Sequence, residues 1–183
     1  MNHAIERYFL IIGILSLGLF ELSVFYKMFH PNVSEHYRLY YIERKLLSWS
    51  NGEGLLYKKS STVNSTNIVR LLSRKGWTKS QKGFFVTHGD VSHIYFQIEK
   101  KINYEGVLYL DFSMLNKQNV AIYINNQQLM NKVCDKGRSR IKLKFNPIIF
   151  NSDHTFNTIT LKFPNIPTAN NKFAMVLGAL TMR

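Results

Sequence analysis

The sequence predicts a mainly β protein: an antiparallel, jelly-roll-like β-sandwich preceded by one N-terminal transmembrane helix and a short amphipathic helix. Three observations predict it. Residues 8 to 29, YFLIIGILSLGLFELSVFYKMF, hold one acid and one base in 22 positions, about 33 Å as a helix and enough for the roughly 30 Å hydrocarbon layer. After residue 60, short aromatic and β-branched runs alternate with Asn, Gly, Ser and Lys clusters, the texture of strands and turns. No stretch beyond that point has the apolar spacing of a helix. The 183 residues divide into an anchor (1–29), a juxtamembrane helix and linker (30–62) and a sandwich domain (63–183).

The apolar run is expected to stay on the mature chain. A cleaved signal needs small residues after it, and FELSVFYKMFHP is bulky, with no lipobox-type cysteine. Phe25, Tyr26 and Phe29 fall where aromatic side chains anchor a helix at the far interface, and Pro31 stops the helix. Glu21 lies about two-thirds along the run. A carboxylate there costs a few kcal/mol. It reaches the head groups or is protonated, or it faces a polar group on a multi-span membrane partner. The flanks (Arg7 before; Lys27, Arg38, Arg44 and Lys45 after, offset by Glu35 and Glu43) lean toward a cytoplasmic C-terminus. Large domains translocate largely regardless of charge, and the expectation is a single-pass protein of the bacterial inner membrane with its C-terminal domain outside the cytoplasm.

Residues 34 to 54, SEHYRLYYIERKLLSWSNGEG, read as an amphipathic helix with Leu39, Ile42, Leu46 and Trp49 on one face. Ser34 is the candidate N-cap and NGEG the stop. Packing on the domain is expected ahead of lying on the bilayer with Arg38, Arg44 and Lys45 at phosphate level. Strands follow at about Ile68–Leu72, Gly83–Val86, Ile94–Glu99, Gly106–Ser113, Val120–Asn125, Gln128–Lys132, Arg140–Asn146, Thr158–Phe163 and Ala174–Thr181. VLYLDFSML and NVAIYINN are nearly continuous apolar runs, as in the middle of two packed sheets. IKLKF and TITLKF alternate, with Lys142, Lys144 and Lys162 toward water. Asn125-Asn126 reads as a two-residue hairpin turn, chiefly structural, because Asn tolerates positive φ.

GVLYLDFSMLNKQNVAIYINNQQL resembles the strand pair of jelly-roll sugar-binding modules, with Val120, Ile122, Ile124 and Asn125 matching and Asn126 replacing the usual Gly. NTITLKFPNIPTANNKFAMVLGALTMR resembles the closing strands of the C-terminal sandwich of bacterial membrane glycosyl- and glycerophospho-transferases, through Asn157, Phe163, Pro164, Leu177 and Gly178. The likeness spans roughly residues 76 to 183 and implies a fold more than a function. The chain departs from those transferases in having one span and no catalytic membrane domain, so any catalysis would belong to a partner.

With 24 Lys+Arg against 11 Asp+Glu, net +13, the chain favours anionic neighbours. Arg138, Arg140, Lys142 and Lys144 alternate onto one face, and anionic lipid or acidic glycan is expected there ahead of nucleic acid. The candidates for glycan contact are Trp77, in the polar SRKGWTKSQKG and expected to be exposed, the group His88, Asp90 and His93, and Asn125 and Asn126. His88, Asp90 and His93 are close enough in sequence for a metal site. The Gly89-Asp90 turn, however, puts the two imidazoles on opposite sides, which favours a hairpin tip. Tyr95, Tyr104, Tyr109 and Tyr123 could stack on sugar rings, with core packing the expected role. Among Glu53, Asp90, Glu99, Glu105, Asp111, Asp135 and Asp153 no two are singled out as a catalytic pair. There is no G-x-S-x-G elbow and no phosphate loop, and the lone Cys134 offers neither a disulfide nor a metal framework. Neither a metal nor a cofactor is expected. These residues point to a non-enzymatic accessory protein whose exported sandwich binds or guides an envelope glycan, as partner of a membrane glycosyltransferase. The alternative is a docking subunit of a membrane complex.

Overall fold

The computed structural model describes residues 3–49, 56–57, 61–98, 105–150, 156–164 and 174–183. Glu53, Glu99, Tyr104 and Asp153 lie outside the described residues. The chain divides into two compact units, Met1–Ser34 and Glu35–Arg183.

The first unit is one helix, α1 (His3–Phe29). Its segment Arg7–Phe29 has a mean hydropathy of 2.1 and none of it is buried. A helix apolar all round and covered by no protein is long enough and apolar enough to cross a membrane. The last turn closes with the His30 amide donating to the Tyr26 carbonyl at 2.9 Å, just before Pro31.

The second unit opens with a helical turn, Glu35–Tyr37, that widens into a π-helical segment, Arg38–Ile42. The helix expected to run to residue 54 therefore stops early. Arg44 takes φ 52°, a left-handed conformation that ends helices. Leu39 and Leu46 still reach the core, while Ile42, expected on the same face, is exposed.

Eleven strands are described. They are β1 (Leu56–Tyr57), β2 (Thr62–Asn64), β3 (Trp77–Lys79), β4 (Phe85–Thr87), β5 (Val91–Ile98), β6 (Gly106–Met114), β7 (Gln118–Ile124), β8 (Gln127–Cys134), β9 (Gly137–Phe145), β10 (Asn157–Lys162) and β11 (Met175–Met182). One sheet runs β1-β5-β10-β7-β8 and the other β3-β4-β11-β6-β9, with β2 also paired to β11. All pairs are antiparallel except β1 with β5. The sheets pack as a sandwich around one core. Phe96, Val120, Ile122, Ile124, Ile159 and Leu161 come from the first sheet, and Leu108, Leu110, Phe112, Ile141, Leu143 and Leu177 from the second. Each side chain of this size contributes about 1.5–3 kcal/mol when fully buried.

Two local expectations are corrected. Ile68–Leu72, read as a strand, is a helical turn (Ser65–Ile68) followed by a 3-10 turn (Val69–Leu71). The buried Ile68 and Leu71 stand at i and i+3, a helical spacing hidden by the β-branched Ile68-Val69 pair, while Leu72 is extended and bridges Ile94. Trp77, expected in an exposed polar segment, begins β3 and is 3% exposed. Gly76 at φ 94° makes this possible: a Cβ there would collide with the Val91 carbonyl and Ser92 Cα. The Trp77 indole N–H then donates to the His93 carbonyl at 2.9 Å.

Asn125 and Asn126 join β7 to β8 with φ 45° and 71°, the pair of positive values that a type I′ hairpin requires. The Asn125 amide nitrogen donates to the Ile149 carbonyl and to Asn157 Oδ1, both at 2.8 Å, and its oxygen accepts from the Thr158 N–H at 2.9 Å.

Candidate functional site

The alternation of β6 and β9 builds a face. In β6, Leu108, Leu110, Phe112 and Met114 turn inward, leaving Tyr109, Asp111 and Ser113 on the outer side. In β9, Ile141, Leu143 and Phe145 turn inward, and Arg138, Arg140, Lys142 and Lys144 are exposed. The register sets Ser113 beside Arg138, Asp111 beside Arg140 and Tyr109 beside Lys142. Cross-strand neighbours on one face lie close enough for direct pairing.

Asp111 grips Arg140 with both oxygens, accepting from Nε at 2.5 Å and from Nη2 at 2.9 Å. The hydrogen bond to Asp111 pushes the already high pKa of Arg140 higher still. The bidentate geometry holds the guanidinium plane in one orientation. The Tyr109 ring lies between two such cations, 5.7 Å from the Arg140 guanidinium carbon and 6.0 Å from that of Arg183.

Two clefts meet at the Asp111–Arg140 pair. The larger, of about 690 Å³, is lined by Phe84, Asp111, Ser113, Arg138, Arg140 and Gly178, among others. The smaller, of about 190 Å³, is lined by Thr62, Tyr109, Asp111, Arg140, Thr181 and Arg183. Phe84 is 50% exposed, an apolar ring left open to solvent at the rim. Gly178 forms a bulge in β11, where the pairing with β6 skips one residue. A Cβ on Gly178 would sit 3.1 Å from the Asp111 carbonyl oxygen, so the glycine keeps the floor of the cleft low. The cleft therefore offers an exposed aromatic ring, serine residues, the guanidinium of Arg138 and the oriented guanidinium of Arg140. Asp111 is the one carboxylate among the described lining residues and is engaged by Arg140. A two-carboxylate hydrolytic mechanism would need a second acid. Among the described residues no group of three or more His, Cys, Asp or Glu lies together to hold a metal.

The residues expected to contact glycan lie elsewhere. Trp77 is buried. His88 and Asp90 are exposed at the bend between β4 and β5, and His93 lies in β5 on the outer side of the other sheet. The His93 ring, with Nδ1 3.0 Å from Thr160 Oγ1, has its pKa lowered by burial and then by the charges of Lys162, Lys75 and Lys45. Tyr95, whose phenol pKa burial pushes up, and Tyr123, with the Lys162 ammonium 4.6 Å above its ring, are half-buried on that same side. Asn125 is committed to the β7–β8 turn, and Asn126 is exposed beside it. Glu105 is exposed, and Asp135 pairs with Lys117 at 3.3 Å. Arg138, Arg140, Lys142 and Lys144 do share one exposed face, and the first two line the larger cleft. Phe84, Ser113, Ser139, Thr62, Thr181 and Arg183 are among the lining residues that sequence reasoning missed. Parity along β6 could have found Ser113, two residues from Asp111; nothing local marks the others.

No family model and no curated protein matches the chain. Solved structures are similar to it. An acetyl xylan esterase from the rumen bacterium Butyrivibrio proteoclasticus is 14% identical, with 66% of this chain and 31% of the esterase covered and a TM-score of 0.45. An insecticidal delta-endotoxin from Bacillus thuringiensis is 9% identical, with 66% and 23% covered and a TM-score of 0.48. The carbohydrate-binding module CBM36, in complex with calcium and xylotriose, is 9% identical, with 67% and 99% covered and a TM-score of 0.42. The chain thus spans less than a third of the first two proteins. At these scores the likeness goes no further than similarity, and the sandwich itself rests on the strand order and register described above.

Proposed function

We propose that this chain is a membrane-anchored, non-enzymatic accessory protein that holds an acidic envelope glycan against the outer face of β6, β9 and β11. One observation carries the reading: the cleft of about 690 Å³ floored by these strands, where Arg138 and Arg140 stand beside Ser113, Ser139 and the exposed ring of Phe84. Sugar rings stack on aromatic faces, their hydroxyls pair with hydroxyl and guanidinium groups, and an attached carboxylate or phosphate takes Arg bidentately. Lys142, Lys144 and Arg183 extend the positive field beyond the cleft, with Asp111 the acid that orients Arg140. The anchor is α1, retained in the membrane, with the sandwich outside the cytoplasm. A module of this kind, tethered beside a membrane glycosyltransferase, would keep the growing polymer near the enzyme. The resemblance of β10 and β11 to the C-terminal sandwich of such transferases is consistent with supplying that module as a separate chain.

The test is binding of the full chain, in lipid nanodiscs, to oligogalacturonate and to neutral dextran at matched length. The expected result is binding of the acidic oligomer alone, weakened by salt and reduced about tenfold or more by Arg138→Gln with Arg140→Gln, since charged hydrogen bonds contribute about 1.5–3 kcal/mol each. Equal binding of both polymers, or of neither, would sink the proposal. Protease added to spheroplasts should digest the sandwich; protection there would place it in the cytoplasm and remove the envelope glycan from consideration.

A further inference from the structure

The segment that follows α1 carries a patch the glycan cleft does not use. Tyr37, Tyr40, Tyr41 and Trp49 form one ring cluster. Tyr37 and Tyr41 lie 4.7 Å apart, Tyr40 and Tyr41 4.8 Å, and Trp49 lies 5.1 Å from Tyr41 and 5.5 Å from Tyr40. The cluster is fixed from beneath. The buried His36 ring stacks on Trp49 at 4.6 Å, nearly parallel at 8°, and Leu39 reaches the core between them in sequence. The upper side is open: Tyr41 is 49% exposed, Ile42 51% and Trp49 36%. The Arg74 guanidinium lies 5.8 Å from the Tyr40 ring. Arg38, Arg44 and Lys45 flank the tyrosines in sequence and are exposed, with Arg38 3.8 Å from Glu35 and Lys45 paired to Glu43 at 2.5 Å.

Tyr and Trp rings with an apolar body and a polar tip, mixed with Arg and Lys, have the composition that side chains adopt at the level of lipid head groups. Chain length restricts what can cover this patch. Five residues, His30 to Ser34, separate the end of α1 from Glu35. Fully extended they reach at most about 17 Å, two to three times the roughly 5–8 Å head-group layer on one side of the bilayer, so the segment that begins at Glu35 stays close to that layer. We infer that the Tyr37–Tyr41–Trp49 patch is an interfacial seat: it beds into the head-group region of the bilayer that α1 crosses, with Arg38, Arg44 and Lys45 at lipid phosphates. This rests on the reading of α1 as a membrane span.

Trp49 reports on it directly. The chain has two tryptophans, and Trp77 is 3% exposed. The full chain is reconstituted in phosphatidylcholine–phosphatidylglycerol vesicles with and without lipids brominated near the head-group end of the acyl chains, since bromine quenches tryptophan on close approach. The expected result is quenching of the wild type and none of Trp49→Phe. A third protein, Phe25→Trp in the Trp49→Phe background, reports on α1 alone, since Phe25 lies toward the interfacial end of the span. Quenching of that protein without quenching of the wild type would overturn the seat and leave the anchor standing. Quenching of neither would remove the anchor reading, and the seat with it. Aqueous iodide gives the converse reading: it should quench Trp49 in detergent-free vesicles far less than a tryptophan open to water, and full quenching would also overturn the seat.

Discussion

Asn125 and Asn126 are adjacent, chemically identical and both at positive φ, yet the structure assigns them opposite sensitivities. Asn125→Ala removes three side-chain hydrogen bonds, to the Ile149 carbonyl, the fully buried Asn157 and the Thr158 N–H. Each is worth about 1 kcal/mol net, and a buried partner left short costs more. Alanine at φ 45° adds about 1 kcal/mol, because its Cβ crowds the following carbonyl. The expected loss is about 3–5 kcal/mol. For Asn126→Gly nothing is withdrawn: the residue is exposed, and glycine accepts φ 71° more readily than Asn. The expected change is a gain of up to about 0.5 kcal/mol, or none. Thermal unfolding of the full chain in mild detergent, carried out in a Trp49→Phe background so that the emission is that of the buried Trp77, reads both. At about 2–4 °C per kcal/mol for a domain of this size, Asn125→Ala should melt about 10 °C lower and Asn126→Gly within about 2 °C of wild type. If Asn125→Ala melts with the wild type, or Asn126→Gly is the more damaging change, the account of this turn is wrong.

Three further outcomes are expected. Ile122, 1% exposed in the middle of β7, should cost about 2–5 kcal/mol when changed to alanine, read as a lowered urea midpoint with an unchanged slope. Burial lowers the folded pKa of both His36 and His93, so below the unfolded value of 6.5 the unfolded chain takes up protons first. Stability should hold above that pH and fall as pH drops from it toward the folded values, and His93→Gln should flatten the fall in a denaturation series. Glu21 is exposed on α1; if it meets a polar group on another membrane helix, Glu21→Leu should leave carbonate-resistant insertion intact and reduce copurification of that partner, whereas an unchanged complex would return Glu21 to a head-group role.

Much of the sandwich was legible because its strands obey the period of two. Val120, Ile122 and Ile124 face the core, and the four cations of β9 face water, as alternation alone requires. The cleft was not legible, because it depends on which residues of β6 and β11 lie beside those of β9. Asp111 and Arg140 are 29 residues apart and meet only through strand register. Trp77 was misplaced for a backbone reason: the lysines and glycine around it suggest a surface loop, but the left-handed Gly76 folds the indole inward. The early end of the second helix has a similar origin, since nothing in the residue type of Arg44 announces its positive φ.

β9 has a further property that follows from its place in the fold. It closes one side of its sheet, with β6 as its neighbour among the described residues, so its other flank presents backbone donors and acceptors that a second strand could join. If α1 spans a membrane as proposed, two copies sharing one bilayer would meet far more often than two in solution, and a flat apolar border would invite them to polymerise. Were two β9 strands to zip together antiparallel, Arg138, Arg140, Lys142 and Lys144 of each would be ranged against those of the other at about 5 Å, where like charges repel. The row of cations would then also disfavour self-association, and its neutralisation is expected to raise the oligomer fraction of the full chain in mild detergent, read by light scattering, even where the protein still folds.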